Sequence, residues 1–305
     1  MKCNMCPRAC NVDRNVNTGF CGMTNDIYAA RAALHMWEEP CISGEHGSGA
    51  VFFSGCTLRC IFCQNSEIAA AQVGKKITVE RLSDIFLELQ DKCANNINLV
   101  TATHFVPQVA EALVKAKNKG LVIPVVYNSS AYENVNTLNM LDGLVDVYLP
   151  DMKYIDSRLS AEYSKAPDYA DVAKAAIHEM VRQTGKPEFF IVDDELVKSG
   201  RVEAGIMKKG VIVRHLVLPG TTKDSKAVIK YLIDTYGDDI YISIMSQYTP
   251  FERLKKHPLL SRKVTRKEYN SVVDYAIDCG INNGFIQEGD VAEESFIPEF
   301  DYEGI

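Results

Sequence analysis

Six short runs rich in β-branched and aromatic residues recur along the chain, at positions 50–54, 97–102, 122–127, 145–149, 211–218 and 240–246. Among them lie longer stretches, 78–93, 106–119, 134–142, 170–182 and 223–236, whose apolar residues recur at three- and four-residue spacing. That spacing is the period of an amphipathic helix, and the short runs read as strands. Thr78, just before Glu80 and Arg81, is the expected cap of the first helix. Strands that alternate with helices imply a parallel sheet with right-handed crossovers. About six such units suit a curved, partly open barrel better than a closed one of eight. The expected fold class is therefore α/β, a partial (β/α)6 barrel preceded by a cysteine-rich N-terminal extension.

Only the stretch 186–210 breaks the rhythm. There Phe189, Phe190, Ile191 and Val192 face Leu196 and Val197 across Asp193 and Asp194, which suggests an inserted hairpin. Residues 263–265 run straight into a last helical pattern at 266–279, and no Gly/Ser-rich or Pro-rich linker divides the chain. The expected division is a metal-binding extension over 1–48 and a barrel over 49–305. With 305 residues, 47% of them hydrophobic, the chain can bury a full core. Its net charge of -7 argues against nucleic acid as the main partner. No run approaches the roughly 20 apolar residues of a membrane span, and the first residues are polar. A cytoplasmic protein with no nucleic-acid and no membrane partner is expected.

In a reducing compartment ten cysteines point to metal ligation, catalysis or burial rather than disulfides. Eight lie within the first 63 residues, at Cys3, Cys6, Cys10, Cys21, Cys41, Cys56, Cys60 and Cys63. Cys93 and Cys279 stand alone in helical patterns and are expected to be buried thiols. Cys56, Cys60 and Cys63, spaced CxxxCxxC, follow the first run of the repeat, where parallel strands present active-site loops at their carboxyl ends. Three thiolates on one loop can each bind a different iron of a [4Fe-4S] cube and leave the fourth iron open. An open iron can chelate the amino and carboxylate groups of S-adenosylmethionine (SAM), and a reduced cube can then break its carbon-sulfur bond. A zinc site fits less well, because it normally takes four ligands as two close pairs.

The chain resembles the radical SAM superfamily, and within it the homologues of pyruvate formate-lyase activating enzyme. The resemblance is carried by CNMCPRAC, GFCG, LHMWEEPCISG, VFFSGCTLRCIFCQN, NINLVTATHFVPQVAEAL, PVVYNSSAYE, DVYLPDMKY, GVIVRHLVLPG, SIMSQYTP and FIPEFD. It implies a barrel of the radical SAM type, cube ligands Cys56, Cys60 and Cys63, and Phe62 and Asn65 against SAM. Where such enzymes carry a Gly-Gly-Glu motif for the SAM amino group, this chain has Thr101, Ala102, Thr103 and His104. Thr103 and His104 are the substitutes expected there. Asn128 is expected at SAM or its ribose, although Ser129, Ser130 and Ala131 replace the Thr-Gly-Gly that would follow it in the group. Asp151 and Lys153 match an Asp-x-Lys element at the same end of the site. Residues two apart on a strand share a face, so these two point inward together. The same parity places Arg214 and Leu216 inside, toward the SAM carboxylate and adenine, and His215 in the core. Gln247 is a further cofactor-binding candidate.

At the head of the chain, Cys3, Cys6, Cys10 and Cys21 could close a second metal site around zinc or another iron-sulfur cluster. Cys41 is a spare ligand or a buried thiol. The resemblance implies an oxidoreductase that makes a 5′-deoxyadenosyl radical for hydrogen abstraction, with activation of a glycyl-radical enzyme as its first reading. Chemistry on another peptide or small molecule is the second, and a non-catalytic iron-sulfur or zinc protein the third. The first two imply an electron donor such as flavodoxin or ferredoxin and allow a protein or peptide substrate.

Overall fold

In the computed structural model, residues 2–287 and 298–305 are described. Of the segment FIPEFD, Phe296 and Ile297 lie outside them. Ten strands form one sheet among these residues: β1 (Ile27–His35), β2 (Ser48–Phe53), β3 (Lys75–Ile77), β4 (Ile97–Val100), β5 (Val125–Ser129), β6 (Val147–Pro150), β7 (Glu188–Phe189), β8 (Met207–Leu216), β9 (Tyr241–Met245) and β10 (Gly284–Ile286). Their order is β10-β9-β8-β6-β5-β4-β2-β1-β3, with β7 added to β8. Neighbours from β2 through β10 pair in parallel, while β1 is antiparallel to both β2 and β3. The six expected strands are β2, β4, β5, β6, β8 and β9. Among the described residues no pairing joins β3 to β10, so the barrel is open.

The inner strands are buried along nearly their whole length, as befits a parallel sheet covered on both faces. Every residue of β2, β5 and β6 is buried. Outside them pack Val79–Asp91, Val106–Asn118, Tyr169–Thr184, Thr222–Tyr236 and Arg266–Asp278. Thr78 Oγ1 accepts the amide hydrogen of Arg81 at 3.0 Å and caps the first of these, as expected. Thr265 and Glu268 close the last in a reciprocal capping box. The stretch expected as a helix over 134–142 is shorter, one turn at Val135–Leu138 followed by a tighter turn at Asn139–Leu141. An additional helix, Ser157–Ser164, starts at Asp156, whose carboxylate accepts from the Arg158 amide at 2.8 Å.

The sheet takes in residues from Ile27 onward. Two expectations are corrected here. The hairpin expected between residues 189–192 and 196–197 does not form. Instead β7 pairs with an early extension of β8, Glu188 opposite Lys209 and Phe189 opposite Met207, while Glu195–Lys198 makes a helical turn. Asp194 favours that turn by accepting the Ile191 amide at 2.7 Å, which draws the chain off a straight strand. Cys93 is exposed rather than buried, because it sits beyond the end of Val79–Asp91 at a φ of 63°, where the chain turns back. Cys279 is half-buried and Cys41 is buried. Among the described residues no helix is long and apolar enough to cross a membrane.

Candidate functional site

At the carboxyl ends of the parallel strands lies a cavity of about 260 Å³. The loop after β2 enters it with Cys56, Cys60 and Cys63, and Phe62 and Asn65 line it beside them. Asn128 comes from β5, Asp151 and Lys153 from the segment after β6, Arg214 and Leu216 from β8, and Gln247 from the segment after β9. Eleven of the thirteen residues expected at the barrel site thus share one cavity wall. Phe62 sets the loop's depth, since its ring meets the edges of Tyr154, Tyr163 and Tyr248 with centroids 6.4–6.5 Å away.

Thr103 and His104 do not line the cavity. The helical turn Thr103–Phe105 carries them into the wall, where both are almost fully buried. Thr103 donates to Glu133 at 2.7 Å, and His104 Nε2 donates to the Ser54 carbonyl at 2.7 Å. Burial pushes the His104 imidazole down to about 4, so it stays neutral. Burial also pushes Glu133 up to about 7 against the hydroxyls of Thr103, Ser129 and Tyr127. Thr101 faces the cavity in their place. His215 lies in the core, its Nδ1 donating to the Met152 carbonyl at 2.8 Å.

The floor of the cavity holds charges absent from the sequence expectation. Glu38, between β1 and β2, accepts from Arg214 Nη1 at 3.1 Å and from Asn98 at 3.0 Å. Arg214 also donates to Asp151 at 3.1 Å and to Asn128 at 2.6 Å, so each of its three nitrogens has a protein partner. The sequence placed Arg214 inside; its occupied guanidinium is a finding of the fold. Lys153 Nζ lies 2.6 Å from Asp151. Burial works to raise the Asp151 carboxyl, but Lys153 and Arg214 outweigh it and hold it below the usual carboxylate range. Burial raises Glu38, with Arg214 the main opposing influence. Glu39 is buried as well, and its Oε2 meets no hydrogen-bond partner among the described residues. Two adjacent acids before Pro40 in an otherwise apolar stretch were the signal available in the sequence.

The donor set fits an iron-sulfur cluster. Burial pushes Cys60 up to about 11 and Cys63 up to about 12, with Lys153 opposing in both. The thiols therefore rest protonated and lose their protons when iron binds. Among the described residues no three His, Cys, Asp or Glu side chains are gathered as a single ion requires. A cube asks something different, because each thiolate takes its own iron. The carboxylates nearest the loop are already committed to Arg214 and Lys153, which leaves the three sulfurs as its ligands. Cys3, Cys6, Cys10 and Cys21 lie outside the cavity.

The structure of methylornithine synthase superposes with a TM-score of 0.50 at 12% identity, covering 81% of this chain and 63% of that one. SuiB of Streptococcus suis bound to the precursor peptide SuiA gives 0.48 at 13% identity, covering 77% of this chain and 46% of that protein. A domain of pyruvate-formate lyase-activating enzyme from Bacteroides vulgatus gives 0.38 at 10% identity, covering 60% and 91%. The chain thus spans less than half the length of SuiB. An uncharacterized protein of Methanocaldococcus jannaschii is 28% identical over 281 residues, 90% of this chain and 74% of that protein. The sequence pattern of the radical SAM superfamily, whose members use a [4Fe-4S] cluster and SAM, matches residues 50–232, more than half the chain. With the three-cysteine loop at the mouth of an open parallel barrel, that match establishes that this chain belongs to the radical SAM superfamily.

Proposed function

We propose that this chain binds a [4Fe-4S] cluster through Cys56, Cys60 and Cys63, holds SAM across the cavity, and abstracts hydrogen from a substrate that enters beside it. The observation that carries this reading is the convergence of three loop thiols with Asn65, Asn128, Asp151, Lys153 and Arg214 on one wall. When bound, the cluster and SAM supply the electron transfer and carbon-sulfur cleavage. The chain's own residues position and enclose. Phe62 and Leu216 offer apolar surface for the adenine, while Asn65 and Asn128 offer amides for polar groups of SAM. Lys153 favours the thiolate forms that bind iron, and the buried floor keeps water from the reacting atoms.

Activation of a glycyl-radical enzyme is the reaction class the resemblance supports, with a flavodoxin or ferredoxin as the electron source in the cytoplasm. The test is anaerobic reconstitution with iron and sulfide, followed by reduction with dithionite in the presence of SAM. We expect 5′-deoxyadenosine from the native chain and none from Cys60→Ala. An intact reduced cluster that yields no 5′-deoxyadenosine overturns the proposal, and product from Cys60→Ala overturns the ligand assignment.

A further inference from the structure

Residues 2–23 fold back on themselves and then against the cysteine loop of the barrel. The Cys3 amide donates to the Val12 carbonyl at 2.8 Å, the Asn11 amide to Cys3 at 2.9 Å, and the Ala9 amide to Cys6 at 3.0 Å. Ala9 and Asn11 take φ values of 40° and 55°, which non-glycine residues adopt only where the surroundings fix them. These turns bring Cys3, Cys6 and Cys10 round toward Cys21. A Cβ built on Gly19 would lie 3.6 Å from the sulfurs of both Cys10 and Cys21, so the two flank one point. The Phe20 amide donates to Cys10 Sγ at 3.2 Å. Cys10 and Cys21 both lie within electrostatic reach of Cys6, and Cys3 and Cys10 within reach of Cys21.

The same segment is fastened to the loop that carries the other three cysteines. Arg8 donates to the Thr57 carbonyl at 2.8 Å and to the Ser164 carbonyl at 2.9 Å, and the Ser164 hydroxyl lies 2.9 Å from Cys60 Sγ. Gly55, the residue before Cys56, has a φ of 88°, and a Cβ there would lie 2.7 Å from the Cys21 carbonyl oxygen. Only glycine permits that approach. The residue before Cys56 therefore packs directly against the backbone of Cys21.

We propose that Cys3, Cys6, Cys10 and Cys21 hold a second cubane iron-sulfur cluster, clamped against the loop that binds the first. Around a tetrahedral zinc with bonds of about 2.3 Å, sulfurs stand roughly 3.8 Å apart. No three Cys, His, Asp or Glu side chains among the described residues are gathered for one ion. A cube spreads its four thiolates over four irons and so does not need them gathered about a single point. Arg14 and the Phe20 amide face this ring and offset the negative charge that four thiolates bring.

The experiment compares iron, sulfide and zinc content and the electron paramagnetic resonance of three anaerobically reconstituted proteins. These are the native chain, Cys56→Ala/Cys60→Ala/Cys63→Ala, and Cys10→Ser/Cys21→Ser. Two cubes predict about eight irons in the native chain and about four in each variant. The reduced native protein should then show a signal broadened by spin coupling relative to the sum of the variants. A native chain that takes up about four irons, all lost in the loop variant, overturns the head cluster, whether or not zinc is bound. About four irons that survive in the loop variant and vanish in the head variant uphold the head cluster and overturn the loop assignment instead.

Discussion

Arg214 Nη1 lies 3.1 Å from the carboxylate of Glu38, a residue 176 positions away in the chain. Neither side chain has much contact with solvent, and the Arg214 charge is the main influence opposing the effect of burial on Glu38. Removing the cation with Arg214→Met leaves Glu38 and Asp151 buried beside one another and should cost about 3–5 kcal/mol in denaturant unfolding. Glu38→Gln should cost less, because the amide can still accept from Arg214. The double variant should be more stable than the sum of the single costs implies. Simple additivity would show that the pair is not coupled.

Gly55 joins the cysteine loop to the head of the chain. At a φ of 88°, an added methyl group would meet Met23 at 2.5 Å and the Cys21 carbonyl at 2.7 Å. Gly55→Ala should destabilise the protein by about 2 kcal/mol or more from strain and displacement. Proteolysis should release the head segment from Gly55→Ala at lower protease concentration than from the native chain. Equal resistance would mean that this approach is not tight in solution.

The histidines predict a pH dependence whose sign can be fixed in advance. Burial pushes His215 down to about 4, against about 6.5 in an unfolded chain. Between those values the unfolded state binds more protons, so the stability His215 contributes is full above pH 6.5 and is lost as the pH falls toward 4. Asn at this position can still donate to the Met152 carbonyl and does not titrate. From pH 6.5 downward, the stability of His215→Asn should fall less steeply than that of the native chain, by about 1.4 kcal/mol per pH unit. Parallel curves would mean that His215 takes up its proton at the same pH folded as unfolded.

Lys153 opposes the effect of burial on both Cys60 and Cys63. In Lys153→Gln the two thiols should be harder to ionise, and their alkylation by iodoacetamide at pH 8 in the iron-free protein should slow severalfold. Cys93, which is exposed and distant in sequence from Lys153, serves as the internal reference. An unchanged rate at Cys60 and Cys63 relative to Cys93 would rule out this electrostatic role.

Whatever depends on neighbours along the chain was legible in the amino-acid sequence. The period of its apolar residues set six strands and the helices between them, and the parity of β8 turned Arg214 and Leu216 inward and His215 outward. The spacing of Cys56, Cys60 and Cys63 put three thiols on one loop. Tertiary structure decided which distant groups meet. Thr103 and His104 follow a strand end as site residues do, yet a tight turn buries them against Glu133 and Ser54 and leaves Thr101 facing the cavity. The pairing of β7 with the start of β8 likewise displaced the local hairpin. Glu38 and Glu39 are two adjacent acids in sequence, and only the fold brings them to Arg214. A carboxylate is buried only where a partner from elsewhere makes up for its lost hydration, and local periodicity carries no record of that partner.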